Sequence, residues 1–151
     1  MKLLFFKTYL KTIKNSLESK IFQDIWAEKD NQELNIVEEG NKSCGIHVSG
    51  ILKWFDLIEA NHATVKGTIA DMKKSDWEEI DDPKVGCVIY WEAREGNGSV
   101  NEHLGFYIGD GKAISNSSIE KVPKEHSYNY NNSRKILNLY WHPKLDNKYY
   151  Q

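Results

Sequence analysis

The sequence predicts an α+β fold in which N-terminal helices pack on a small antiparallel sheet. Apolar residues recur at helical spacing in successive segments up to residue 74, and short apolar runs with strand character replace them from Val85 onward. A Gly109-Asp110-Gly111 turn between two of these runs is a strong hairpin signal. Helices that precede a meander of strands are typical of the α+β class.

Length and composition indicate one domain that spans residues 1–151. The chain has 151 residues, of which 40% are apolar and 28% charged, as in an ordinary globular protein with a sizeable core. Its net charge is −2, and acidic and basic residues are interspersed. The basic footprint of a nucleic-acid or anionic-membrane binder is absent from the sequence. We therefore expect no nucleic-acid partner and no membrane span.

The N-terminus predicts a cytoplasmic protein. Lys7 interrupts its short apolar run, so it lacks both the apolar region and the cleavage site of a secretory signal. Export by another route stays open. In a reducing compartment Cys44 and Cys87 are expected to be free thiols. Cys87 lies in an apolar run and is expected to be a core residue, and no cofactor is expected.

Residues 1–30 are predicted to be a helical segment. Its apolar stripe at helical spacing consists of Phe6, Leu10, Ile13, Leu17 and Ile21. Ser16 is expected to cap a second helix that runs through Trp26. Thr64 is expected to cap a later helix, and residues 85–92 and 135–141 are predicted strands. Residues 94–99 are expected to form a loop, and 117–132 are polar and rich in turn residues.

Cys44 lies in the first turn of a predicted amphipathic helix. The apolar positions that follow it at helical spacing are Val48, Ile51, Leu52, Phe55 and Ile58. The turn before it offers Ser43 as a cap. Unpaired backbone N–H groups and the helix dipole at this position favour thiolate over thiol. Cys44 is therefore a candidate nucleophile.

His103 is the candidate general base. It opens the first hairpin strand, where its imidazole can remove the proton of the Cys44 thiol. The second hairpin strand brings Ser115 and Asn116 back beside His103, and one of them is expected to hold the other ring nitrogen. Asn116 is the preferred candidate because its amide oxygen is a fixed acceptor. Ser115 is the second candidate.

These motifs resemble the NlpC-like branch of the papain-fold cysteine peptidases. The similarity lies in a cysteine that heads a helix, Gly86 before a buried strand, and the hairpin run His-Leu-Gly-Phe-Tyr-Ile-Gly-Asp-Gly that begins at His103. It covers roughly residues 40–116. The resemblance implies a papain-like domain with a catalytic core over residues 40–141, Cys44 as nucleophile and His103 as base. Strict spacing places the family's third residue at Ser115.

The resemblance implies a thiol-dependent hydrolase of peptide or amide bonds. Its expected partner is a peptide or amide substrate, with peptidoglycan fragments of the bacterial cell wall among the candidates. Two alternatives stay open: a catalytically inactive binding domain on the same fold, and an acyltransferase that forms a thioester. The acyltransferase ranks lower, because the circularly permuted acyltransferases of this superfamily place His before Cys.

Three further side chains are candidates for substrate contact: Trp91, His62 and His47. Core packing is the alternative for Trp91. His47 lies one turn after Cys44, but two ligands without a third are weak support for a metal site, and no metal is expected. His126 and His142 lie in polar late segments and are expected to be solvated.

Overall fold

The computed structural model describes residues 1–96 and 99–151, and within them it contains three α-helices and eight β-strands in two sheets. The helices are α1 (Phe5–Asn15), α2 (Cys44–Trp54) and α3 (Val65–Lys74). The strands are β1 (Trp26–Lys29), β2 (Gln32–Asn35), β3 (Glu78–Ile80), β4 (Val88–Gly96), β5 (Ser99–Gly109), β6 (Lys112–Asn116), β7 (Pro123–Ser127) and β8 (Ile136–Trp141). The α+β class predicted from the sequence is confirmed.

Six strands form the main sheet in the order β3-β8-β4-β5-β6-β7, and every neighbouring pair is antiparallel. Strands β1 and β2 form a separate hairpin. The predicted hairpin of β5 and β6 is present, and Gly109, Asp110 and Gly111 all adopt positive φ in its turn. Such a left-handed turn matches the right-handed twist of the strands and favours glycine and aspartate.

Helix α2 packs on β5 and β6 and against α3. Val48 and Leu52 of α2 are fully buried against a sheet face that contributes Leu104, Phe106 and Ile114. Each such side chain contributes about 1.5–3 kcal/mol when it leaves water. The core therefore fixes the start of α2 relative to β5, which carries the candidate base, and to β6 beside it.

The N-terminal helix is shorter than predicted. It ends at Asn15, and the hydroxyl of Ser16 donates to the Ile13 carbonyl instead of capping a second helix. Glu18 has a positive φ, and its N–H donates to the Pro123 carbonyl at 2.9 Å. A left-handed residue cannot continue a right-handed helix. The predicted second helix from Ser16 through Trp26 is therefore absent from the structure, and that prediction was wrong. Trp26 begins strand β1 instead.

Two other predictions need correction. Residues Pro123–Ser127, within a polar stretch given no regular element, form the edge strand β7; proline at the first position of an edge strand loses no ladder hydrogen bond. The predicted loop at 94–99 is largely strand, because β4 runs to Gly96 and β5 begins at Ser99. Residues 97 and 98 of that loop lie outside the described residues.

The helices of the described part of the chain are short. The longest have 11 residues, and none is both long and apolar enough to cross a lipid bilayer.

Candidate active site

Cys44 is the first residue of α2, and its side chain is partly exposed. The sulfur lies against β5: its Sγ is 3.9 Å from the carbonyl oxygen of Glu102, and the backbone N–H of Leu104 also acts on it. These two backbone groups flank His103 along the strand. The fold therefore brings the predicted nucleophile to the strand position of the predicted base.

The start of α2 leaves its first N–H groups without a side-chain cap. Ser43 occupies the N-cap position, but its hydroxyl donates to the Phe22 carbonyl at 2.5 Å. The predicted capping role of Ser43 was therefore wrong. The backbone N–H groups of Gly45 and Cys44 interact with the Cys44 sulfur instead. Uncapped N–H groups at a helix start stabilise negative charge, which suits a thiolate or an oxyanion.

A chain of hydrogen bonds leads away from the His103 ring. Its Nε2 lies 2.8 Å from the Ser115 Oγ, and that oxygen lies 2.6 Å from the His126 Nε2. The Nδ1 of His126 lies 2.7 Å from the carbonyl oxygen of Ser127. The Tyr130 hydroxyl is 3.3 Å from the same Ser115 oxygen. We refer to His103, Ser115, His126 and the Ser127 carbonyl as the Ser115 chain.

The Ser115 chain fixes the position of each proton. The Ser127 carbonyl can only accept, so the His126 Nδ1 carries a hydrogen and its Nε2 accepts from the Ser115 hydroxyl. Ser115 has then donated its only hydrogen, so it accepts from the His103 Nε2–H. A neutral His103 ring with hydrogen on Nε2 has a free lone pair on Nδ1. That nitrogen is the one available to a thiol.

Gly105 makes room for this arrangement. It lies directly opposite Ser115 in the β5–β6 pair. A Cβ at this position would stand 2.7 Å from the Ser115 Cβ and 3.0 Å from the Trp91 ring. Such contacts are closer than side chains tolerate. The absence of a side chain at Gly105 lets the Ser115 hydroxyl reach diagonally to His103.

Asn116 does not orient His103, although it was the preferred candidate. Its Nδ2 donates to the Gly40 carbonyl at 2.8 Å, and its buried Oδ1 has no hydrogen-bond partner. The reason is the register of the hairpin. Gly109 pairs with Lys112, but Tyr107 pairs with Ala113, so Ile108 is an extra residue on β5. This bulge shifts the pairing by one, and a one-residue shift exchanges the faces of a strand.

Two of the predicted substrate-contact residues are buried. Trp91 is fully buried, and its Nε1 donates to the Tyr128 carbonyl at 2.8 Å while its ring packs 5.3 Å from that of His103. His47 is also fully buried; its ring lies between Phe22 and Phe106, and its Nε2 is 3.0 Å from the Ser16 Oγ. Neither side chain has a surface that a substrate can touch, so these two predictions were wrong.

The third, His62, pairs with an acid away from the Ser115 chain. Its Nε2 lies 2.6 Å from an Asp71 carboxylate oxygen. Burial raises the pKa of Asp71, but hydrogen bonds from the Glu59 N–H and from His62 outweigh it and bring the pKa to about 2. The Asp71–His62 pair thus ties the segment before α3 to α3. Substrate contact by His62 stays a prediction.

Cys44 and His103 are neutral at rest. Burial, followed by the charge of Arg134, holds the pKa of His103 well below 6.5. Burial also raises the pKa of the Cys44 thiol, although the N–H groups of Gly45 and Cys44 and the charge of Arg134 act in the opposite direction. The N–H groups at the helix start favour the thiolate, as expected from the sequence, but desolvation outweighs them and the pKa of Cys44 lies above its ordinary value. The resting pair is a thiol and a neutral imidazole.

Three residues of this site were not identified from the sequence. His126, expected to be solvated, is partly buried in the Ser115 chain, and its ring stacks on that of Tyr130 with 4.2 Å between ring centroids. Arg134 donates to the Glu92 carbonyl from Nε and to the Asn101 carbonyl from Nη2, both at 2.9 Å. Residues 123–127 are Pro-Lys-Glu-His-Ser, without apolar alternation, so no local signal marked His126 as part of the site.

His142 was also expected to be solvated, and it is buried. It is 6% exposed, its ring packs 5.4 Å from that of Trp77, and its Nδ1 accepts the Lys144 N–H. Its role is to begin a 3-10 turn after β8. It takes no part in the site.

Within residues 1–96 and 99–151, no three His, Cys, Asp or Glu side chains lie close enough together to hold a metal ion. Both cysteines are free, and Cys87 is buried in the core as predicted. No protein-family model matches this chain, and no curated protein matches its sequence. The site is therefore interpreted from its own geometry.

Proposed function

We propose that this protein is a thiol-dependent hydrolase of peptide or amide bonds with a papain-like arrangement of its site. Cys44 is the nucleophile, His103 is the general base, and Ser115 holds the base. The observation that carries the proposal is the Ser115 chain, which leaves the free lone pair of His103 on Nδ1, on the strand whose Glu102 carbonyl contacts the sulfur of the helix-start Cys44. A buried imidazole whose tautomer is fixed in this way is a device of acid–base catalysis.

The reaction follows from these protonation states. As the Cys44 sulfur attacks the amide carbon, its proton moves to His103 Nδ1 and the carbonyl oxygen gains the negative charge. The uncapped N–H groups at the start of α2 stabilise that oxyanion, and each such donor is worth about 3 kcal/mol. The intermediate collapses when His103 protonates the leaving amine. Water then attacks the thioester, gives its proton to His103, and releases the acid and the thiol.

This mechanism requires the thiol to change partner. Within the described residues the Cys44 thiol donates a hydrogen bond to the Glu102 carbonyl, and no hydrogen bond joins it to the His103 ring. Catalytic hydrogen bonds in resting enzymes are often long and tighten only when substrate binds. Because the thiol and the ring are both neutral at rest, proton transfer accompanies attack rather than preceding it.

A non-catalytic binding domain is the second candidate. Two observations favour it: the raised pKa of Cys44 and the contact of its sulfur with a backbone carbonyl. In that case Cys44 is a helix-start residue that packs against β5. The two candidates predict different reactivity of the thiol.

The test compares Cys44→Ala with Cys87→Ala, a matched control at the buried second thiol. Purified variants are incubated with generic peptides and with peptidoglycan fragments, and amide cleavage is followed by mass spectrometry. We expect Cys44→Ala to abolish cleavage and Cys87→Ala to retain it per folded molecule. Iodoacetamide should label Cys44 faster than Cys87, whose pKa burial raises to about 11. Cleavage that survives Cys44→Ala, or slow and equal labelling of both thiols, contradicts the hydrolase.

A further inference from the structure

The chain has two arginines, Arg94 and Arg134, and both lie against the Tyr130 ring. Their guanidinium carbons are 5.5 Å and 5.7 Å from the ring centroid. The hydroxyl of the same ring is 3.3 Å from the Ser115 oxygen. Both cations therefore lie beside the Ser115 chain, although Arg94 belongs to β4 and Arg134 to the segment before β8.

Arg134 is held in place by the backbone. Its Nε donates to the Glu92 carbonyl and its Nη2 to the Asn101 carbonyl, two residues before His103. These bonds use two of the five N–H donors of a guanidinium. Within the described residues, none of the ion pairs includes either arginine. The neighbouring carboxylate of Glu92 accepts the Lys135 backbone N–H.

A groove leads to this cation. It has a volume of about 450 Å³, and Arg134 and Lys135 line it together with one acid, Glu92, with Tyr128 and Ile136, and with Asn129, Asn132 and Ser133. Its walls therefore carry two cations and one anion, and the Glu92 carboxylate already accepts the Lys135 backbone N–H. A half-buried guanidinium without an acidic partner is costly, and a carboxylate with two oxygens matches its planar donors.

We propose that Arg134, assisted by Arg94, binds a carboxylate of the substrate beside the amide that Cys44 attacks. This rests on the proposed hydrolase function and narrows its substrates to peptides or amides that carry an acidic group near the cleaved bond. Arg134 is a binding residue, since the donors that the Glu92 and Asn101 carbonyls and the Tyr130 hydroxyl leave over contact the anion and not the reacting atoms. The same charge also stabilises the Cys44 thiolate.

The experiment uses two alkylating agents of similar size that differ in charge. Iodoacetate carries a carboxylate and iodoacetamide does not, so the ratio of their rates at Cys44 reports binding of the anion separately from thiol ionisation. We expect Arg94→Gln/Arg134→Gln to lower the iodoacetate-to-iodoacetamide ratio about tenfold, the size of a charge interaction at short range. Lys66→Gln/Lys73→Gln, two charge changes on α3, is the matched control and should leave the ratio unchanged.

A protection assay distinguishes the source of the carboxylate. N-acetyl-glutamate α-amide offers a side-chain acid, N-acetyl-alanine a terminal acid, and N-acetyl-alanine amide neither. Slower iodoacetamide labelling of Cys44 in the presence of an acid, but not of the neutral amide, supports the site. The acid that protects Cys44 shows whether the site binds a side-chain or a terminal carboxylate. An unchanged reagent ratio in the arginine variant overturns the carboxylate site while leaving the hydrolase intact. A Cys44 that neither reagent labels overturns the hydrolase and this site together.

Discussion

Replacement of Ser115 by alanine tests the site most directly. The change removes the oxygen that accepts from His103 Nε2 at 2.8 Å and donates to His126 Nε2 at 2.6 Å. A buried polar group left without a partner costs about 1–3 kcal/mol. A misoriented His103 ring separately raises the activation barrier, and an increase of about 1.4–2.8 kcal/mol lowers the rate about 10- to 100-fold.

The assay measures amide cleavage and iodoacetamide labelling of Cys44 in the same preparation, with urea unfolding alongside. We expect Ser115→Ala to lower both rates 10- to 100-fold and the free energy of unfolding by about 1–3 kcal/mol. Ser117→Ala is the matched control, because its hydroxyl accepts the Glu120 N–H near the surface. Full activity in Ser115→Ala would refute the argument that this hydroxyl holds the base.

A pair of variants at His126 separates orientation from stability. His126→Leu removes the acceptor of the Ser115 hydroxyl, which can then donate to His103 Nε2 and leave the hydrogen on Nδ1. That tautomer cannot take the thiol proton, so we expect the same loss of rate as in Ser115→Ala. His126→Gln keeps an acceptor and should restore part of the rate. Equal activity of the two variants would contradict the assignment of protons along the Ser115 chain.

Three other predictions concern the surrounding fold. Gly105→Ala places a Cβ 2.7 Å from that of Ser115, and calorimetry should show a loss of about 1–3 kcal/mol together with reduced cleavage. Burial lowers the pKa of His47 to about 3, so the neutral ring stabilises the native state fully above pH 6.5, and this stability declines as the pH falls towards 3. Urea unfolding at a series of pH values should show the free energy of unfolding change by up to about 1.4 kcal/mol per pH unit in this range. His47→Phe should flatten that slope. Asn116→Ala removes a buried hydrogen bond and should cost about 1–3 kcal/mol without slowing Cys44 alkylation per folded molecule, whereas slower alkylation would return Asn116 to the site.

Local signals account for what the sequence predicted correctly. The helix after Cys44 and the hairpin around Asp110 are encoded within short windows, by apolar spacing and by residues that tolerate positive φ. These elements carry the proposed nucleophile and the proposed base. The prediction of Cys44 and His103 as neighbours therefore depended on one long-range step, the packing of a helix start on a sheet.

The errors arose where a tertiary contact overrides a local pattern. The choice of Asn116 over Ser115 was chemically reasonable, but the bulge at Ile108 reverses the faces of β6, and no composition signal marks a bulge. His126 and Tyr130 join the site only because β7 pairs with β6 and the turn after it is left-handed at Tyr130. Positive φ at a tyrosine is costly, and sequence rules do not anticipate it.

The Ser115 chain ends at a main-chain oxygen of the edge strand β7. Ser127 is the last residue of β7, and β7 has a neighbour on one side only. Strands at the margin of a sheet separate at a lower free energy than the body of the protein. When β7 separates from β6, the Ser115 hydroxyl loses the His126 Nε2 that accepts its hydrogen. The proposed catalysis should therefore fail on heating several degrees before the core melts, because separation of this edge strand limits it.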